Sequence, residues 1–343
     1  MSNSIHDFDN NILSGYLEQN IPGFEGPLSS EKFTGGQSNP TFLLTAKSGQ
    51  YVLRRKPLGR LLKSAHAVDR EYEVLVALEN STVPLAKPFC LCEDDNIIGS
   101  MFYIMSYEDG RIFWDPALPD LKKEHRKPFY NELVRVLAAI HSVDINNVGL
   151  SNYGKPGNYF ERQLSIWTKQ YRASETDKLD SVEMLINWLG QHMPKNDEQI
   201  SLIHGDYRFD NIIFDHVKAD ATAILDWELS TLGHPMSDLA YFCMCLRLPA
   251  NSPVKGLAGL DLNELGLPNE KDIIDQYCQL RGITKIKHWS FYLAFSFFRL
   301  AAIAQGVYKR SLDGNASNDH AKEAGNFANL LSQFAMQTIT EES

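Results

Sequence analysis

The sequence predicts an α+β protein of two lobes, a small antiparallel-sheet lobe with one helix followed by a larger, mainly helical lobe. Three observations carry this. Strand-like runs crowd the first 107 residues, helical periodicity dominates from residue 108 onward, and a short β island interrupts the helices near residues 199–225.

The elements follow in order. Asp9 to Gln19 has the spacing of a short amphipathic helix. Strand-like runs occupy 31–34, 41–46 and 51–56, separated by Gly35-Gly36 and Ser48-Gly49. A helix is expected over about 65–79, then strands near 89–93 and 101–107. Asp109-Gly110 marks the break, placing one lobe at 1–107 and the other at 108–343. Beyond it, 121–143, 157–173 and 179–193 read as helices, with Pro128 a candidate kink. The island comprises 199–203, 211–215 and 222–225, and 235–338 returns to helix. A substrate cleft between the lobes is the expectation for such a pattern.

Bulk properties exclude several classes. The 343 residues are 43% apolar and 22% charged, with a net charge of −10. No basic cluster marks a nucleic-acid footprint or an anionic-membrane partner. No basic-then-apolar leader is visible, and the most apolar run, FYLAFSFFRLAAIA, is interrupted by Arg299 and short for a bilayer, so the chain reads as cytoplasmic. Five cysteines, an odd number, argue against a disulfide framework. The C-x-C pairs Cys90/Cys92 and Cys243/Cys245 are tighter than usual zinc spacings and read as buried thiols. A zinc protein built on them stays a separate class, to be tested by metal content.

The chemistry concentrates in LIHGDYRFDNIIFD, residues 202–215. Asp206 precedes Asn211 by five positions, the spacing of a phosphoryl-transfer loop. Transfer to a hydroxyl needs a carboxylate to take the proton and an oxygen ligand for Mg2+ nearby. Asp226 ends the apolar run Ala223-Ile224-Leu225 and is placed to join Asn211 as a magnesium ligand. Alone, each motif is as well explained by a turn with capping Asp or Asn. Together, on a β island inside helices, they point to catalysis.

The motifs GGQSNPTFLL, YVLRRKPLG, SAHAVDREYEVLVAL, FYIMSYEDGR, LIHGDYRFDNIIFD, AILDWELSTLGHPMSDLAY and FYLAFSFFRLAAIAQGVYKR resemble those of the aminoglycoside phosphotransferase/choline kinase family. The resemblance covers about residues 25–335. Within the family the chain resembles most the kinase-like proteins related to domains N-terminal to some acyl-CoA dehydrogenases. It implies a protein-kinase-like fold, ATP and Mg2+, and a phosphotransferase acting on an alcohol group.

The N-terminal lobe offers an independent check. Glu71 falls on the apolar stripe of Val68, Tyr72, Leu75 and Leu78, and an inward carboxylate needs a basic partner. Arg54, at the end of Tyr51-Val52-Leu53-Arg54, occupies the place where protein kinases carry lysine, and alternation puts it opposite Leu53 and Arg55. The pair is read as a nucleotide-phosphate contact, against a solvated Arg pair on an edge strand. Gly36, Ser38 and Asn39, in the loop Gly35-Gly36-Gln37-Ser38-Asn39, are read as backbone contacts to phosphate, against a plain hairpin turn.

Arg208 is a candidate contact to the transferred phosphoryl group, with an ion pair to Asp210 or Glu228 as the alternative. His204 is read as an anchor for the loop, and Asp238 as a cap or tether. The aromatic helix 288–310 reads as core, yet Arg299 within it wants a carboxylate or phosphate partner, from protein or substrate.

The acceptor stays open. A polycationic aminoglycoside needs clustered acids, and Asp261–Asp275 holds several that read equally well as a solvated surface. The resemblance points instead to an anionic hydroxylated metabolite, with a hydroxyacyl group on CoA as one form. Aminoglycoside or choline-type kinases and a nucleotide-binding pseudokinase-like module remain alternatives. Oligomeric state is not legible.

Overall fold

The structure, a computed structural model, describes residues 8–33, 39–58, 67–155, 157–195, 197, 199–313 and 324–340. In chain order the elements are α1 (Asn10–Asn20), β1 (Ser29–Lys32), β2 (Thr41–Ala46), β3 (Gly49–Arg55), α2 (Val68–Leu78), β4 (Pro88–Cys92), α3 (Asp95–Ile98) and β5 (Phe102–Ser106). Then come α4 (Arg126–His141), α5 (Tyr159–Ser174), α6 (Asp180–Gln191), β6 (Ser201–Ile203), β7 (Ile212–Phe214), β8 (Ala221–Ile224) and β9 (Thr231–Gly233). Helices α7 (Met236–Leu246), α8 (Leu262–Leu265), α9 (Glu270–Arg281), α10 (Trp289–Leu312) and α11 (Ala324–Thr340) complete the chain.

These elements form two compact units. The first comprises Met1–Ile112, Asn146–Leu150 and Asn211–Ser230, and the second the remainder. The first unit holds a five-stranded antiparallel sheet of order β1-β2-β3-β5-β4. Alternation along β3 divides its side chains. Tyr51, Leu53 and Arg55 turn toward the core that Leu13 and Leu17 of α1 help to build, while Val52 and Arg54 take the opposite face. Arg55 is buried there with its Nη1 on the carbonyl of Ile98 and its guanidinium near the rings of Phe8 and Phe42. Helix α2 buries Val68, Glu71, Val74, Leu75 and Leu78. Val74 thus replaces Tyr72 in the expected stripe, and Tyr72 leans on Tyr103 instead. The β7–β8 hairpin belongs to this unit and is tied to it where Ile224 N–H donates to the carbonyl of Pro84.

The second unit is mainly helical, with the β6–β9 pair as its only sheet among the described residues. Strand β9 was not expected from sequence; three residues, Thr231-Leu232-Gly233, carry no periodicity to read. Pro128 does not kink a helix. Helix α4 starts at Arg126, so Pro128 lies in its first turn, where a missing N–H costs nothing. Helix α10 is buried nearly all round and packs against α5, α7 and α11. At 24 residues it is long and apolar enough to cross a membrane, contrary to the shorter apolar run expected, but 78% of its apolar window is buried inside the protein.

Candidate active site

The residues singled out in the sequence fall into two groups, one in each unit. In the first unit the pairing register puts Arg54 of β3 opposite Tyr103 of β5, on the sheet face where α2 brings Glu71. Arg54 Nε lies 2.8 Å from Glu71 Oε2, and its Nη2 donates to Asp226 Oδ1 at 2.6 Å. The same Nη2 is 3.6 Å from Glu228. Tyr103 donates its hydroxyl to Glu71 Oε2 at 3.1 Å, and the buried Asn39 amide donates to Glu71 at 2.8 Å and to Glu228 at 3.3 Å. Asn39 therefore spends its side chain on carboxylates. Gly36 and Ser38 lie outside the described residues.

Three carboxylates face one guanidinium in this cluster. The imbalance shows in Glu71. Burial pushes its carboxyl up to about 7, with Asp226 and Glu228 adding to the rise and Arg54 and Tyr103 opposing it. Burial works against the charged form of Arg54, but Glu71, Tyr103, Asp226 and Glu228 together outweigh it and favour that form. The pH dependence follows. The folded state keeps the Glu71 proton up to about 7, whereas the unfolded chain loses it near the ordinary 4.5. This group's contribution to stability is complete below pH 4.5 and is lost as pH rises through 7. Denaturant melts at pH 5 and pH 8 should show wild type losing more stability over that interval than Glu71→Gln. Parallel losses would remove Glu71 as the titrating group.

Asp226 follows β8 with φ +63°, a left-handed conformation that a non-glycine residue adopts only under constraint. The constraint is local: the buried Trp227 opens a tight helical turn, and its indole N–H donates to the carbonyl of Ile224. At the same open end of the hairpin the backbone carbonyl of Asn211 accepts from Leu225 N–H at 2.8 Å, so Asn211 and Asp226 stand together at one end of the β7–β8 pair. Their donor set is one amide and one carboxylate, oxygen only. Such a set suits Mg2+, which takes one or two carboxylates and leaves other positions to water and phosphate. Among the described residues no group of three or more His, Cys, Asp or Glu is arranged to hold a metal. All five cysteines are buried free thiols, and burial pushes Cys90 and Cys245 up to about 12.

In the second unit the loop after β6 is held by Asp238 at the start of α7. One of its carboxylate oxygens accepts the backbone N–H of His204 at 2.6 Å and the other that of Gly205 at 2.9 Å. The first also meets His141 Nε2 at 3.4 Å, and His141 Nδ1 is 2.7 Å from the Tyr277 hydroxyl. Asp238 is buried, yet these donors hold its carboxyl below the usual range. His204, fully buried, accepts the N–H of Asp206 on Nδ1. Both residues act as the expected anchor and tether. Tyr207 adds a third hold, donating to the carbonyl of Leu133 in α4. Asp206 and Arg208 remain partly exposed on the loop so fixed. Arg208 Nε is 3.2 Å from Asp206 and its Nη2 3.0 Å from Asp210, while Glu228 belongs to the first unit's cluster.

The chain belongs to the phosphotransferase enzyme family, whose profile matches residues 29–260. It is 46% identical over 92% of its length to mouse acyl-CoA dehydrogenase family member 10, and 41% identical over 97% to human acyl-CoA dehydrogenase family member 11. The chain spans only 30% and 43% of those two proteins. A Ralstonia eutropha crystal structure, described as a candidate aminoglycoside phosphotransferase, superposes with a TM-score of 0.90 at 45% identity, covering 97% of this chain and 99% of that one. A choline kinase from Cryptosporidium parvum, at 14% identity and a TM-score of 0.65 over 97% of this chain and 96% of its own, shares the fold. So does a spectinomycin phosphotransferase solved with ADP and spectinomycin, at 13% identity and a TM-score of 0.63 over 96% and 98%. The two-lobed, kinase-like α+β class expected from the sequence is the class observed.

The sequence reading missed three contributors. Glu228 follows Asp226 by two positions, so Asp-Trp-Glu was a visible signal. Tyr103 was visible only through strand register. The His141–Tyr277 contact behind Asp238 joins residues too distant in sequence to suggest each other.

Proposed function

We propose that this protein transfers the γ-phosphoryl group of ATP to a hydroxyl of a small molecule. The observation that carries this reading is the meeting of Arg54, Glu71 and Asp226: a cation aligned by a buried carboxylate, beside an oxygen donor on a strained turn. That is the arrangement a triphosphate site requires. Arg54 contacts the nucleotide phosphates, and Glu71 and Asn39 keep the cluster aligned. Asn211 and Asp226 hold Mg2+, which when bound neutralises charge on the phosphates.

Asp206 accepts the proton of the attacking hydroxyl as its oxygen bonds to the γ-phosphorus and the bond to the β-phosphate oxygen breaks. ADP and a phosphate monoester result. Arg208, already paired to Asp206, supplies positive charge on the same loop. The magnesium assignment predicts that Asp226→Ala loses magnesium-dependent nucleotide binding and roughly a hundred-fold or more of turnover. Titration of ATP with and without Mg2+ by calorimetry checks it; intact magnesium dependence would remove Asp226 as a ligand.

For the acceptor, an anionic hydroxylated metabolite of the hydroxyacyl-CoA kind is favoured over an aminoglycoside or choline. Two observations support this. The relatives named acyl-CoA dehydrogenase family members are 41–46% identical to this chain. Four of the five acids of the 261–275 segment are also committed: Asp261 and Asp272 cap helices, Glu270 holds Arg247 and Trp289, and Asp275 pairs with Lys271. A screen of hydroxyl compounds with ATP and GTP tests the reading. Turnover of hydroxyacyl compounds is expected, and turnover confined to amino sugars or choline would overturn the acceptor class. Magnesium-dependent nucleotide binding with no turnover of any acceptor would favour a pseudokinase-like module.

A further inference from the structure

Arg299 sits in the middle of α10 at 9% relative exposure, flanked by the buried Phe297, Phe298, Leu300 and Ala301. A guanidinium cannot shed its proton, and one nine-tenths buried is stabilised by an anion or a set of aligned acceptors. Three other guanidinium groups, buried or partly buried, are so matched. Arg54 has Glu71 and Asp226, Arg55 has the carbonyl of Ile98, and Arg208 has Asp206 and Asp210. Among the described residues Arg299 makes no ion pair and no hydrogen bond. It has aromatic rings instead, with its guanidinium carbon 5.5 Å from the Tyr241 centroid and 5.7 Å from that of Trp167. Ring faces stabilise a cation only in part and accept none of its in-plane N–H groups.

Two tyrosines fix what this cation is joined to. Tyr241 stands on α7, one helical turn beyond the Asp238 that holds the 204–205 backbone. It interacts electrostatically with Asp206 and Arg208 as well as with Arg299. Tyr159, at the start of α5, also feels the charge of Arg299, and it lines a cavity of about 380 Å³ together with Asn152, Asn158 and Arg162. That volume lies in the range of small-molecule sites. The unmatched cation, the loop bearing Asp206 and a cavity of metabolite size are therefore linked through two side chains, all within the second unit.

We propose that Arg299, clamped between Trp167 and Tyr241, is a specificity-determining residue that seats the oxyanion of the acceptor, a carboxylate or a phosphate. This rests on the phosphoryl transfer proposed above. The anion supplies the counter-charge the protein withholds, and a polycationic acceptor is repelled from the same place.

The test uses two pairs of hydroxyl probes: 3-hydroxybutyrate with its methyl ester, and glycerol 3-phosphate with glycerol. In wild type the charged member of at least one pair is preferred, and which pair shows it tells carboxylate from phosphate. In Arg299→Met the charged-to-neutral ratio of kcat/KM should fall at least ten-fold, mainly through KM, with Arg299→Lys restoring much of it. An unchanged ratio overturns the proposal.

A second readout is independent of turnover. With AMP-PNP and Mg2+ filling the nucleotide site, 3-hydroxybutyrate or inorganic phosphate should change tryptophan fluorescence saturably in wild type and Arg299→Lys. The change should be absent in Arg299→Met and Trp167→Phe. If wild type turns over no hydroxyl compound, the phosphoryl-transfer reading fails while this titration still decides the anion seat. No saturable signal in wild type, or one that survives Arg299→Met, overturns it. Should Arg299→Met fail to fold, Arg299→Gln carries the same comparisons.

Discussion

Replacing Asp206 with Ala should lower acceptor-dependent ATP turnover by about 10³-fold, the scale of a lost general base, while nucleotide affinity stays within about three-fold. The fold should tolerate the change. The loop takes its position from Asp238 on the His204 and Gly205 amides and from Tyr207 on Leu133, not from the Asp206 side chain. Arg208 also keeps Asp210 when Asp206 is removed. Steady-state kinetics at saturating acceptor, with calorimetric titration of ATP, separates the two effects. Turnover within ten-fold of wild type would dismiss Asp206 as the base. Loss of nucleotide affinity equal to the loss of turnover would instead assign it to ground-state binding.

Arg54→Ala should act on stability and on nucleotide binding together. It removes the cation from a buried cluster and leaves Glu71, Asp226 and Glu228 facing one another. Breaking a buried pair from one side costs about 3–5 kcal/mol when the remaining charge has no escape. Glu71 does have one, because its carboxyl already stands at about 7 and rises further without Arg54. The variant should therefore be only mildly destabilised at pH 6, where Glu71 is protonated, and severely at pH 8.5. Magnesium-ATP should no longer raise its melting temperature at either pH. Melting curves at the two pH values, with and without nucleotide, test both parts. A pH-independent loss would contradict the buried-carboxylate account, and retained nucleotide stabilisation would contradict the phosphate contact.

The residues these experiments address differ in how they could be found. Asp206, Asn211 and Asp226 are legible because the chemistry proposed for them requires fixed residue types close together along the chain. Arg54 and Glu71 are legible by another route, since a strand of period two and a helix of period 3.6 each turn a charged side chain to an apolar face. Glu228 shares the motif of Asp226, but nothing along the chain reveals that it meets Asn39 across 189 positions. Tyr103 joins through a register that local patterning leaves open. Strand β9 is too short for any periodicity and forms only because β6 offers it a partner.

Asp206, the residue on which the proposed reaction turns, shows the division most clearly. By itself the sequence determined the α+β class, the phosphotransferase family and the identity of the loop, because spacing and periodicity are local and survive without coordinates. The tertiary structure decided how that loop is held, through two amides on one buried carboxylate that lies over thirty positions away. It also decided that Arg208 is paired while Arg299, among the described residues, is not. A charge is satisfied or unsatisfied only by what packing brings within a few ångströms, and no spacing along a chain specifies that.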